Sequence, residues 1–196
     1  MPHKTVLAAL VLAAAWAPAH AETYVIDPNH TQVRFTFSHF GLSNITGLFT
    51  GITGSISYDP ARPEASRVEA TIPVAQVHTG VEKLDQHLRS ADFFDVERFP
   101  EARFTSTAVK PMGEGRLRVT GELAVRDLRR EVVLDVHLNA AKEHPMSKRP
   151  AIGFDARTRL RRTELGVGKY APAVSDELPI EITVEASVPA QAGSGG

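Results

Sequence analysis

Arg116-Leu117-Arg118-Val119-Thr120-Gly121-Glu122-Leu123-Ala124-Val125 places Leu117, Val119, Leu123 and Val125 on one side of an extended chain. Arg116, Arg118, Thr120 and Glu122 fall on the other. Successive side chains of a strand point to opposite faces, so this period of two marks a strand with one apolar and one solvated face. Working outward, Val132, Leu134, Val136 and Leu138 alternate with Asp135 and His137. Ile180, Ile182, Val184, Ala186 and Val188 alternate with Glu181, Thr183, Glu185 and Ser187, and Val33, Phe35 and Phe37 with Arg34, Thr36 and Ser38. Less regular runs at 47–58, 66–77, 102–110 and 151–162 bring the expectation to about eight strands. Turn signals at Asp59-Pro60, Pro111 to Gly115 and His144-Pro145 to Pro150 separate them at antiparallel spacing.

One segment breaks the period. Leu84 and Leu88 stand four apart with Glu82, Lys83, Asp85, Gln86 and Arg89 on the other faces. That spacing predicts a short helix within Val81 to Asp92, starting near Thr79 and ending before Phe93-Phe94. So short a helix is marginal alone and must rest on the sheet. An all-β chain of this kind makes either a sandwich or a closed barrel. Gly51, Gly54 and Gly121 inside strand-like runs favour the stronger coiling of a barrel, but leave both open.

The remaining arithmetic narrows the class. The chain has 196 residues, 42% hydrophobic and 23% charged, with a formal net charge of -1 and no cysteine. This length suits a single domain, and the near-zero charge gives no general attraction for nucleic acid. Met1 to Lys4, the apolar run Val6 to Ala17 and Ala19-His20-Ala21 have the layout of a secretory leader, so 1–21 is expected to be removed and the product to be periplasmic. Residues 22–189 then form the domain, and 190–196 a flexible Gly/Ser-rich tail. With no cysteine, stability must come from burial and backbone pairing.

Catalytic signatures are absent: no Gly-x-Ser-x-Gly, no Ser-x-x-Lys, no His-Glu-x-x-His, no phosphate-cradling loop and no dinucleotide fingerprint. His30 and His39 are nine apart, and Asp85 and His87 two apart on the helix, so neither spacing makes a local metal site. No metal is expected. Arg157, Arg159 and Arg161 share one strand face, and Arg126, Arg129 and Arg130 form a second basic group. Either could dock an anionic surface or simply be the solvated side of the sheet. Phe35, Phe37 and Phe40, and then Phe93, Phe94 and Phe99, either fill a core or line an apolar cavity.

An ordered series of motifs settles more. His30-Thr31-x-Val33-x-Phe35-x-Phe37-Ser38-His39-Phe40-Gly41, followed by Gly47-x-Phe49, resembles the opening of the YceI-like, polyisoprenoid-binding family. Asp85-Gln86-His87-Leu88-Arg89-Ser90-Ala91-Asp92-Phe93-Phe94-Asp95, running into Phe99-Pro100-x-Ala102-x-Phe104-x-Ser106, is the most specific match. The resemblance spans nearly all of 22–189. It implies a lipocalin-like antiparallel β-barrel with the short helix closing one end. It also implies a long isoprenoid lipid, of quinone or polyprenyl type, held inside, with no catalytic cofactor. A transient contact with a membrane or membrane protein follows from such a role, and the oligomeric state stays open, a dimer included.

Inward parity combined with these motifs names the expected ligand-binding residues. Val33, Phe35 and Phe37 form one wall, with His39 and Phe40 at its end. Leu84, Leu88, Phe93 and Phe94 close the cavity. Phe104, Leu117, Val119, Ile152, Phe154, Ile180 and Ile182 supply the other walls. His39 would bond a polar head group or a nearby backbone carbonyl. An enzyme acting on the lipid or its head group, through His39 and an acidic partner, is the alternative reading.

Two departures from the family pattern stand out. Arg126-Asp127-Leu128-Arg129-Arg130 replaces a usual Gly-x-Thr turn. Arg161-Arg162-Thr163-Glu164-Leu165-Gly166 carries leucine where an aromatic is common. If the latter segment rims the cavity, head-group preference is the property affected.

Overall fold

The computed structural model describes residues 21–190; residues 1–20 and 191–196, and with them the expected leader and tail, lie outside the described residues. The strands are β1 (Glu22–Ile26), β2 (Gln32–His39), β3 (Ser43–Phe49), β4 (Thr53–Tyr58), β5 (Arg67–Pro73), β6 (Val77–His78), β7 (Glu101–Gly113), β8 (Arg116–Val125), β9 (Leu128–Glu143), β10 (Pro150–Arg161) and β11 (Glu177–Ser187). The helix α1 (Glu82–Arg89) lies between β6 and β7. Every pairing is antiparallel.

Eight strands follow one another round a ring in the order β1-β4-β5-β7-β8-β9-β10-β11, and β1 pairs with β11 to close it. The all-β barrel expectation therefore holds, and the sandwich does not. The closure is brief: Val25 faces Ser187 and Ile26 faces Ala186. Higher on the same side of β11, β2 takes over, with Ile180 opposite Phe35 and Thr183 opposite Gln32. β2 carries β3, and β3 carries β6, so these three strands complete the wall at the helix end. The end bearing α1 is called the mouth below, and the end bearing the β7–β8 and β9–β10 hairpins the base.

Two sequence runs divide. The run 47–58 is two strands: β3 pairs with β2, whereas β4 pairs with β1 and β5. The run 66–77 is broken after Pro73 by a single 3₁₀ turn, Val74–Gln76, before β6. Alternation continues through such breaks because it reports facing, not pairing. Two glycines do more than coil the sheet. Phe35 lies across Gly47 on the neighbouring strand and Phe104 across Gly121, and a Cβ at either position would collide with the ring.

The helix is a turn shorter than its apolar spacing suggests. Val81 at its N-cap makes no side-chain cap bond. Instead the buried Asp85 carboxylate accepts bonds from the Thr79 amide at 2.7 Å and the Thr79 hydroxyl at 2.6 Å. The Arg89 guanidinium donates to the carbonyls of Ala75 and Val77, both at 2.9 Å, and ties the helix to β6. Leu88 is buried beneath it and Leu84 half-buried. Docking supplies the stability that eight residues lack on their own.

The inward faces form two apolar clusters. Tyr24, Ile26, Ile56, Tyr58, Phe104, Leu117, Val119, Ile152 and Phe154 pack toward the base. Phe35, Phe37, Val74, Val77, Leu88, Phe93, Val125, Leu165, Val167 and Ile180 pack toward the mouth. Each buried side chain of this size contributes about 1.5–3 kcal/mol relative to exposure.

Candidate functional site

An apolar cavity of about 370 Å³ runs between these clusters. That is the scale of a small-molecule site, and its lining of apolar walls with a few polar groups is the usual pattern. Of the polar contributors, His39, His87, Arg162, Lys169 and Tyr170 gather at the mouth, while Thr31, Tyr58, Ser66 and Thr158 supply the others along the wall.

Fourteen of the expected residues line the cavity: Val33, Phe35, Phe37, His39, Leu84, Leu88, Phe93, Phe94, Phe104, Leu117, Val119, Phe154, Ile180 and Ile182. Two do not. Ile152 points inward but is sealed in the base cluster, opposite Ala186 and below the β-bulge at Gly153/Phe154. Phe40 follows the last residue of β2 with φ +55°, which ends the alternation and turns the ring outward, 57% exposed. Parity gave the inward face, but neither the depth of Ile152 nor the end of the strand at His39.

The helix and the turns after it cover the mouth from one side. The Phe94 amide donates to the Leu88 carbonyl, and the Val96 amide to that of Arg89, folding the segment back on α1. Phe93 lies beneath, edge-on to His87 at 5.0 Å, and Phe94 is edge-on to Phe49 at 5.4 Å. From the other side comes the 162–174 segment. Arg162 is buried, and its guanidinium donates to the carbonyls of Ser175, Val167 and Val174 at 2.9 Å and of Lys169 at 3.2 Å. Burial depresses its pKa, against the nearby Asp176 carboxylate that favours the charge. Leu165 lines the cavity, so the 161–166 segment does rim the opening.

The two sides are joined. Lys169 forms an ion pair with Asp92, which also lies 3.4 Å from His87 Nε2. The Lys169 bond holds the Asp92 carboxyl below its usual range, and the lysine is raised in return. Arg126 supplies a second tie, donating to the carbonyls of Phe93 at 3.0 Å and Gly166 at 3.1 Å. It does so from φ +55°, with its buried Nε left without a hydrogen bond. Arg126 thus accepts a left-handed backbone while clamping the two sides of the mouth.

Among the described residues no carboxylate pairs with His39; its exposed ring lies against Phe40 at 4.2 Å. Of the cavity-lining histidines, the one beside a carboxylate is His87. Neither the 162–174 segment nor the Asp92–Lys169 pair has a periodic signal. Arg162 was visible only as one more arginine beside Arg161.

The basic groups are largely neutralised. Arg157 and Arg34 pair with Glu181, Arg159 with Glu177 and Arg129 with Glu122. Away from the mouth, on the outer wall where β1 passes to β2, Asp27, His30 and Glu185 bring ligating atoms within 4.8 Å of one another. Local spacing did not foresee that grouping, which β11 assembles. His30 Nδ1 is bonded to the Asp27 carboxylate at 2.7 Å. His144 Nε2 lies 3.4 Å from the Glu185 carboxylate.

Comparison with known proteins agrees with this geometry. A family model described as a YceI-like domain matches residues 24–186. A UPF0312 protein of Azotobacter vinelandii is 36% identical over 187 residues, covering 93% of this chain and 97% of the relative. One from Pseudomonas syringae pv. tomato is 37% identical, covering 93% and 96%. Among solved structures, Burkholderia cenocepacia BcnA superposes with a TM-score of 0.74 at 24% identity, covering 82% of this chain and 99% of that one. A domain from Saccharophagus degradans described as polyisoprenoid-binding superposes at 0.65 with 14% identity, covering 87% and 100%; at these identities both show the fold alone. Barrel, motifs and relatives agree: the chain belongs to the YceI-like family.

Proposed function

We propose that this protein is a periplasmic carrier that encloses the tail of an isoprenoid lipid, most fittingly an isoprenoid quinone, rather than a catalyst acting on it. The observation that carries the reading is the apolar cavity running from the base cluster to a polar mouth. Each buried CH₂ is worth about 0.8 kcal/mol relative to water, so even two or three isoprene units give a large gain over solution. The same tail is equally content in a bilayer, so the protein's task is transfer and not storage. The polyisoprenoid-binding description of the Saccharophagus domain and the family's motif series support the ligand class.

The mouth favours a neutral head group. A polyprenyl phosphate calls for free cations, yet Lys169 is paired with Asp92 and Arg162 spends four of its five N–H groups on backbone carbonyls. Arg126 is engaged by two more. What remains are ring nitrogens of His39 and His87 and the Tyr170 hydroxyl, groups that can donate to a quinone carbonyl.

Native purification followed by mass spectrometry of the extracted lipid tests this directly. A quinone at close to one per chain is expected, and added quinone should compete with it far better than a polyprenyl phosphate of equal length. A protein that carries no isoprenoid and takes up none when offered would end the reading.

A further inference from the structure

The exposed apolar residues of the described chain are not scattered evenly. Leu42 is 85% exposed, Phe40 57% and Tyr170 51%. Leu42 and Phe40 occupy the tip of the β2–β3 hairpin, which the 170–175 segment braces. The Phe40 amide donates to the Ala173 carbonyl at 3.0 Å and the Ser175 amide to that of Ser38 at 3.0 Å. Tyr170 leads from the tip into the cavity, its ring 6.3 Å from Phe93 and 6.0 Å from His87. Met112 and Met146 are also exposed, on separate base hairpins, as are Val25, Val133 and, at the start of α1, Val81, but none of these sits with two other large apolar groups beside the cavity mouth.

Large apolar side chains held out on a rigid hairpin tip are costly to leave in water and mark a contact surface. Here that surface adjoins an apolar cavity through His39, which lies two residues after Phe37 on β2, lines the cavity and packs against Phe40. We infer that the Phe40–Leu42 hairpin tip, with Tyr170 beside it, dips into the interfacial layer of a bilayer and brings the cavity mouth level with the lipid it takes. This inference rests on the carrier reading above and adds where and how the ligand enters.

The charges decide which kind of surface. Of the cations nearest the mouth, Lys169 is paired with Asp92, while Arg126 and Arg162 keep their charge but are held back against backbone carbonyls. With these cations held back from the tip, insertion of its apolar and aromatic groups supplies the binding. The Arg157/Arg159/Arg161 strand face, the other route to a membrane, is opposed by Glu181 and Glu177 and has no link to the cavity.

The test uses phosphatidylcholine vesicles containing an isoprenoid quinone, and the double variant Phe40→Asn/Leu42→Ser. Asparagine tolerates the left-handed backbone at position 40, so the hairpin is kept. Flotation with vesicles is expected to fall about tenfold or more, the equivalent of one large apolar group lost from the interface. Transfer of quinone from vesicles should slow in proportion, while uptake from detergent micelles stays unchanged because the cavity is untouched. Replacing a third of the phosphatidylcholine by phosphatidylglycerol should change wild-type flotation less than about twofold. The inference is overturned by a variant that floats like wild type, by a wild type that floats only on anionic vesicles, or by a wild type that ignores protein-free vesicles. The last result would point to a protein partner at the mouth. Failure to take up quinone from micelles would instead strike the carrier reading, and flotation still decides the docking.

Discussion

The base and the mouth of this barrel are built from similar side chains held in different ways. At the base, Tyr58 meets Phe154 edge-on at 5.7 Å and Ile152 is sealed among continuous strands, each fixed by its ladder. At the mouth, Phe93, Leu165 and Val167 are as well buried, but they hang from turns fixed by a few polar ties. The base is stabilised by cooperative pairing; the mouth depends on individual hydrogen bonds. Breaking one contact should therefore lower global stability at the base and change local opening at the mouth.

The largest effect is expected where a mouth tie is itself buried. Arg162→Met leaves four carbonyls without their donor, at about 3 kcal/mol or more. Urea unfolding should show the loss, and hydrogen exchange should show protection vanishing first across 162–175. Next comes a matched pair. Ile152→Ala should cost about 2–4 kcal/mol and leave lipid stoichiometry intact, since the side chain lies outside the cavity wall. Phe93→Ala should cost a similar amount but raise the rate of lipid loss, measured by transfer to acceptor vesicles. If both variants release lipid equally fast, the division into base and mouth is wrong.

A subtler change is Arg126→Gly. It removes the clamp on Phe93 and Gly166 while relieving a left-handed backbone, worth about 1 kcal/mol in the opposite sense. Stability by urea midpoint should hardly move, while lipid exchange accelerates several-fold. The smallest effect is on pH. Asp92 is held low by Lys169 and, less strongly, by His87, so its contribution is present above the ordinary aspartate value and is lost as pH falls through the lower folded one. Acid should therefore loosen the mouth before the base. Hydrogen exchange at 90–96 and 166–171, compared between pH 6 and pH 3, would reveal it; equal loosening at the base hairpins would argue against it.

The same division explains what was legible in the sequence. Wherever a strand runs unbroken, alternation named the inward residues correctly, from Leu117 and Val119 to Ile180 and Ile182. It failed at Phe40, where a left-handed residue ends the pattern, and at Ile152, where facing inward is not the same as reaching the cavity. Arg162, Lys169 and Asp92 were invisible as a group because their partners are carbonyls and charges up to 77 residues away. Hydrophobic period reads faces; it cannot read ties between loops.

One feature of the ring bears on how the chain acquires its shape. β11, the last strand of the described chain, pairs with β10 on one side and with both β1 and β2 on the other. Everything from Glu22 to Arg161 can form ladders and hairpins, but the first two strands have no neighbour across the seam until residues 177–187 arrive. Until β11 is in place the apolar inner face stays open, and closure is a contact between the first and last strands of the described domain. Such long-range pairing is slow. The finished barrel should thus depend on its C-terminal strand in an all-or-none way, and a chain stopped before Glu177 should remain an aggregation-prone open sheet rather than a smaller barrel.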